Sequence, residues 1–257
     1  MPRARKKGPA FWRIAIGGMT ASVFALFSLA AFTAPPATEP DGWCRLDRRD
    51  PAHTVLMIDQ SDPFVERDYD WVAALLDEES RLLPKYGRLT VVTPDSARPY
   101  QPRVVFSACT PGSADRANPI FENPRMIEHR WRSDFKDQLT ERVDALLKDD
   151  QASNSPLGET VFAVFDRPDF QDTVRRRRLV IVSDLMQNSE EFSFYTSGAD
   201  RLAFGQTRLA SEKPDMTGAD VVARIVPRQE YDLPISSLRV FWEDYFGRAG
   251  ARFESVT

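Results

Sequence analysis

The 257-residue sequence predicts an α/β protein: a doubly wound, mainly parallel six-stranded sheet with helices on both faces, preceded by one transmembrane helix. Three observations lead there. Two short runs, Thr54–Ile58 (TVLMI) and Leu179–Val182 (LVIV), are wholly apolar, as strands covered on both faces must be. Strand-like runs alternate with segments of helical periodicity, the pattern of parallel strands joined by helical crossovers. Ile14–Ala34 holds 21 residues without a charge, enough to cross the roughly 30 Å hydrocarbon core as a helix.

The uncharged segment follows MPRARKK and precedes PPATEPDG. By the positive-inside rule, residues 1–13 are then a cytoplasmic basic segment and the body is exported. The expectation is a single-pass protein of the inner membrane that meets the bilayer through residues 14–34, with its C-terminal part in the periplasm or outside the cell. A cleaved signal peptide is the rival reading; the length of the apolar run and Pro35 directly after Ala34 count against it. Gly17, Ala21 and Ala25 form a small-residue ridge that admits a homodimer.

Residues 35–53, rich in Pro, Asp and Arg, read as a tether, and residues 54–257 as the folded domain. Within it, Thr54–Ile58 is the first strand. Phe64–Leu83 carries apolar residues at helical spacing and closes at Pro84 and Gly87. Leu89–Thr93 and Arg103–Ser107 are strands joined by the turn-rich PDSARPYQP, a length suited to an antiparallel connection. Asn123-Pro124 supplies an N-cap and a first-turn proline, and Ile127, Trp131, Phe135, Leu139, Val143 and Leu147 then recur at every fourth position as a core-facing stripe. SNSPLGETVFAVF is a loop entering a further helix. Leu179–Val182 and Val221–Val226 are strands, Ile235–Phe246 a helix and Arg252–Val256 the closing strand.

Composition narrows the function. Of 34 Lys and Arg against 38 Asp and Glu, five basic residues and no acidic one fall in the first 34 positions, which leaves 29 against 38, a net of −9, on the rest. An acidic body of that kind is a poor partner for nucleic acid. Two cysteines and two histidines exclude zinc-finger arrays and iron–sulfur sites. There is no G-x-S-x-G elbow, phosphate-binding P-loop or H-E-x-x-H helix. A phosphotransfer aspartate needs a second carboxylate two residues on, and Ser61 stands there after Asp59. His53 precedes the first strand, at the far end from Asp184, and His129 lies on a polar helix face, so neither is placed as a base. The basic run Arg175–Arg178 reads as a solvated loop.

Both apolar strands end in an acid, Asp59 and Asp184, at the edge where ligands of open α/β sheets bind. The motifs there read Asp59-Gln60-Ser61-Asp62-Pro63, Ser155-Pro156-Leu157 and Ser183-Asp184-Leu185. In element order and in these motifs, residues 53–257 resemble a von Willebrand factor A-like domain. That family carries a metal-ion-dependent adhesion site: D-x-S-x-S after the first strand, a Thr before a helix and an Asp after the fourth strand. The resemblance implies Asp59, Ser61 and Ser155 as magnesium ligands, with Asp184 holding a bound water. Pro63 replaces the last Ser of the motif, Ser155 the Thr, and Leu185 the Gly that follows the strand-end Asp, so the site is degenerate. The alternative is a purely structural set, with Asp59 and Ser61 capping the next helix. The family's strand order also brings the end of the Arg103–Ser107 strand to the edge where the tether enters, implying a Cys44–Cys109 disulfide. The expected function is a non-enzymatic binding, adhesion or scaffold module of the cell envelope with a protein partner. Its alternatives are a metal-independent structural component and, last, a phosphotransfer hydrolase.

Overall fold

The computed structural model describes residues 8–33, 35–40, 42–61, 64–118, 122–149, 154–226 and 233–256. It divides into two units, residues 1–37 and 38–257. The first contains α1 (Pro9–Thr33), which begins five residues before the predicted span. Ala34 and residues 1–7 lie outside the described residues, as do the side chains of residues 9–11, 14, 15 and 29–33. Among the described residues no helix is long and apolar enough to cross a membrane; side chains are described without a break only over 16–28.

The second unit opens with a short bridge between Thr38 and Arg45, so much of the segment read as a tether is folded within this unit. Then follow β1 (His53–Ile58), α2 (Glu66–Leu82), β2 (Arg88–Thr93) and β3 (Arg103–Cys109). Next come α3 (Pro124–Trp131), a π-helical turn (Arg132–Lys136), α4 (Asp137–Leu147), α5 (Leu157–Phe165) and β4 (Arg177–Ser183). Three one-turn helices, α6 (Phe194–Ser197), α7 (Arg201–Phe204) and α8 (Arg208–Ser211), precede β5 (Asp220–Ile225), α9 (Ile235–Arg248) and β6 (Arg252–Val256).

The six strands form one sheet in the order β3-β2-β1-β4-β5-β6, with only β3 antiparallel to its neighbour. The central strands explain their own composition. Val55 and Met57 of β1, with Leu179 and Ile181 of β4, pack against α5 and α9; Leu56 and Ile58, with Val180 and Val182, pack against α2, α3 and α4. Successive side chains point to opposite faces, so a strand covered on both has no polar alternate.

The stripe in the long helix carries information beyond helix. At 100° per residue a repeat of four drifts about 40° per step, so a straight α-helix would carry it off the core. The π-helical turn supplies the wider spacing, and Trp131, Phe135 and Leu139 all stay buried across it. Asn123 caps the start, accepting from the Arg125 and Met126 amides at 3.1 and 3.4 Å.

Candidate functional site

Asp59 follows β1 and is fully buried. Its Oδ2 accepts hydrogen bonds from Ser155 Oγ at 2.7 Å and Ser183 Oγ at 2.9 Å, and its Oδ1 accepts from the Ser61 amide at 3.0 Å. Three segments far apart in sequence therefore converge on one carboxylate. Ser183 Oγ also stands 3.4 Å from Asp184 Oδ1, which accepts from the Met186 amide at 2.9 Å. All four predicted residues are brought together at the carboxyl end of the sheet, Asp184 through Ser183. Pro63 lies outside the described residues.

Ser183 is the member that motif reading missed, although the register of the two strands points to it. Ile58 pairs with Val182, so the next positions, Asp59 and Ser183, stand side by side on one face. Gln60 turns the other way and donates to the Leu146 carbonyl near the end of α4. Ser155 is held by its backbone, whose carbonyl accepts from the Asn188 and Leu157 amides at 2.8 and 2.9 Å. Leu185, where the family has Gly, keeps the left-handed backbone that Gly favours, with φ of 70°. Its side chain is buried and its carbonyl accepts from Trp242 Nε1 at 3.0 Å, contacts that hold the non-glycine residue in place.

Burial pushes the Asp59 carboxyl above the usual range, and the hydroxyls and the Ser61 amide only partly offset it. A bound cation would favour the charged form. The donors present are all hard oxygens: two carboxylates and the hydroxyls of Ser61, Ser155 and Ser183. The Ser155 and Ser183 hydroxyls turn their protons toward Asp59, and Ser183 Oγ accepts from the Leu185 amide at 2.9 Å, which leaves it one lone pair. This donor chemistry fits magnesium, which takes oxygen ligands and retains waters at the positions left over. Among the described residues no group of three or more His, Cys, Asp and Glu is placed to hold a metal, so a cation here would depend on the serine hydroxyls.

No family model and no curated protein matches this chain. Among solved structures it is similar to the crystal structure of the TFIIH p34 N-terminal domain, at 9% identity and a TM-score of 0.36 over 82% of this chain and 93% of that one.

Beside the cluster lies a cavity of about 310 Å³ whose lining includes Asn154 and Pro156, the two neighbours of Ser155. Glu159 and Glu191 line it too. Burial raises the Glu159 carboxyl, which accepts from Gln187 Nε2 at 2.9 Å, while Glu191 takes the Tyr100 hydroxyl and the Leu209 amide.

At the opposite end of the sheet, Cys44 and Cys109 form a disulfide. His53 is buried between the Asp169 carbonyl and Thr90 Oγ1, both at 2.8 Å, and desolvation lowers its pKa to about 4. It is a neutral structural histidine, and His129 is exposed on α3. The basic run Arg175–Arg178 is not a solvated loop throughout. Arg177 is buried on β4 and donates to the Phe170 and Thr217 carbonyls, and Arg178 forms a bidentate pair with the fully buried Glu79 at 2.9 and 3.0 Å. The run opens a strand, and strand placement forces these side chains toward α2 and the connecting loops.

Proposed function

We propose that this chain is a membrane-anchored binding and scaffold module of the cell envelope, built on a von Willebrand A-like domain and without catalytic turnover. The observation that carries it is the convergence of Ser155, Ser183 and the Ser61 amide on the buried Asp59, an oxygen-lined site at the end of the sheet where α/β folds bind ligands. His53 is locked by hydrogen bonds at the other end of the sheet and His129 is exposed on α3, which favours binding over hydrolysis. In this reading Asp59, Ser61, Ser155 and Ser183 hold magnesium, Asp184 orients a water, and the cation contributes an electrophilic position for an acidic group of a protein partner. Residues of this chain provide the rest: the sheet fixes the two carboxylates, and the Ser155 backbone bonds fix the loop between them.

Anchoring is supported by α1, where Trp12, Ile16, Met19, Phe24 and Phe27 are all more than half exposed and suit a lipid environment. The orientation, N-terminus inside and domain outside, rests on the basic residues before the helix and accords with the Cys44–Cys109 disulfide, which persists in oxidising compartments. A phosphatase reporter fused after Thr257 should be active outside the cytoplasm; activity of a cytoplasm-only reporter would reverse the topology.

One observation favours the metal-independent version: both Asp59 oxygens already have protein hydrogen-bond partners. Capture of the partner from solubilised membranes separates the two. Magnesium-dependent capture that a chelator abolishes supports the adhesion-type site, whereas chelator-insensitive capture assigns a structural scaffold.

A further inference from the structure

The cavity beside the Asp59 cluster holds carboxylates that the cluster does not use. Its volume is about 310 Å³, and Glu159, Glu190 and Glu191 line it, with no lysine, arginine or histidine among the lining residues. We propose that this cavity binds an organic ammonium group.

Glu159 is the residue that points to a ligand. It is 1% exposed, and among the described residues no cation pairs with it. Outside the Asp59 cluster the other buried acids are treated differently: Glu79, Asp50 and Asp68 each have an arginine beside them, at 2.9, 2.8 and 3.9 Å. Glu159 has the Gln187 amide at 2.9 Å, the Ser189 hydroxyl and the first turn of α5, which offer partial charges only. The full charge that acts on it is Glu191, of the same sign. Glutamates are almost never fully buried without a cation, so one that lines a cavity marks the place of a cation from outside the chain.

Spacing and surroundings choose the kind of cation. Among the described residues these glutamates are not grouped to hold a metal ion. Their oxygens suit the three diverging N–H donors of an ammonium rather than one small coordination shell. Pro99, Pro156 and Tyr100 add apolar wall for the methylenes next to it. The volume is many times the roughly 10–15 Å³ that one water needs, so the ammonium enters with the chain that carries it. Arg208 does not take this place: it lies over the Tyr100 ring at 4.8 Å, pairs with Glu212 at 2.7 Å and is not among the lining residues.

Melting of the purified full chain in detergent and a chelator tests this, so that magnesium at Asp59 plays no part. The probes are putrescine and the peptide acetyl-Gly-Lys-Gly-amide, set against acetyl-Gly-Gln-Gly-amide and sodium chloride at matched ionic strength. At ten times its Kd an ammonium probe should raise Tm by about 4 °C. Glu159→Gln should remove most of that rise and leave the melt without probe unchanged or higher, because it takes away a buried charge. Glu190→Gln, at an exposed position of the same wall, should weaken the Kd about threefold. A rise with the lysine peptide assigns the basic side chain of a protein partner, and a rise with putrescine alone assigns a free amine. Equal rises with the glutamine peptide or sodium chloride, no rise with either ammonium over the millimolar range, or a full response in Glu159→Gln would overturn the proposal.

Discussion

At the amino ends of the strands the domain closes itself with permanent links, whereas at the carboxyl ends it is held by hydroxyls around a carboxylate that burial disfavours. The first set comprises the Cys44–Cys109 disulfide, the Arg178–Glu79 and Arg88–Asp50 ion pairs and the doubly hydrogen-bonded His53. The second comprises Asp59, Ser61, Ser155, Ser183 and Asp184. Every charge named at the amino end has an opposite charge or a carbonyl beside it. At the carboxyl end two carboxylates share one hydroxyl neighbour, and burial disfavours the charge on Asp59. The difference is one of chemistry: one end is closed by covalent and ionic links, and the other gathers the oxygens on which the proposed cation site rests.

The largest expected effect is on the closed end. Cutting the disulfide by reduction or by Cys44→Ser with Cys109→Ser opens a 65-residue separation. It should cost roughly 4 kcal/mol in the chain-entropy model, read as a lower denaturant midpoint. An unchanged midpoint would show that the segment holding Cys44 adds no constraint. Next, Glu79→Ala leaves the half-buried Arg178 without its partner and should cost about 3 kcal/mol. A loss below about 1 kcal/mol would place that pair among surface bridges.

Acid sharpens the same comparison. Burial lowers the His53 pKa to about 4 in the folded chain, against an ordinary histidine value of 6.5, so the unfolded chain binds the extra proton first. Stability from this site is complete above pH 6.5 and is lost as pH falls toward 4, by up to about 3 kcal/mol. His53→Asn should flatten that part of the stability profile. A wild-type profile already flat between pH 6.5 and 4 would contradict a neutral, buried His53.

How much of this was legible in the sequence depends on how local each signal is. The doubly buried strands, the Asn123 cap and the stripe from Trp131 to Leu147 are written in neighbouring residues and appear where expected, while Ile127, the first residue of the stripe, is only half-buried. The carboxyl-end cluster was legible through its two strand-end acids and Ser155. Ser183 was not, because its role comes from strand register rather than from a motif. The π-helical turn was hinted at by a repeat of four, longer than the α-helical period. The helices over 194–211 are each four residues long, too short for any periodicity to show. The pairing of Arg178 with Glu79 joins positions 99 apart, which no local reading of a basic run reveals. The Thr38–Arg45 bridge and the disulfide within the segment read as a tether are likewise non-local and leave no periodicity to read.

The central claim, that the Asp59 cluster is a cation-dependent binding site, is tested most directly by melting the full chain against magnesium. Wild type should gain stability over the millimolar range, and more with manganese if the site favours it. Asp59→Ala should fold, melt cooperatively and show no such gain. If wild-type melting is indifferent to both ions, and Asp59→Ala captures the partner as well as wild type does, the cluster is a hydrogen-bonded structural knot and the cation-dependent account fails.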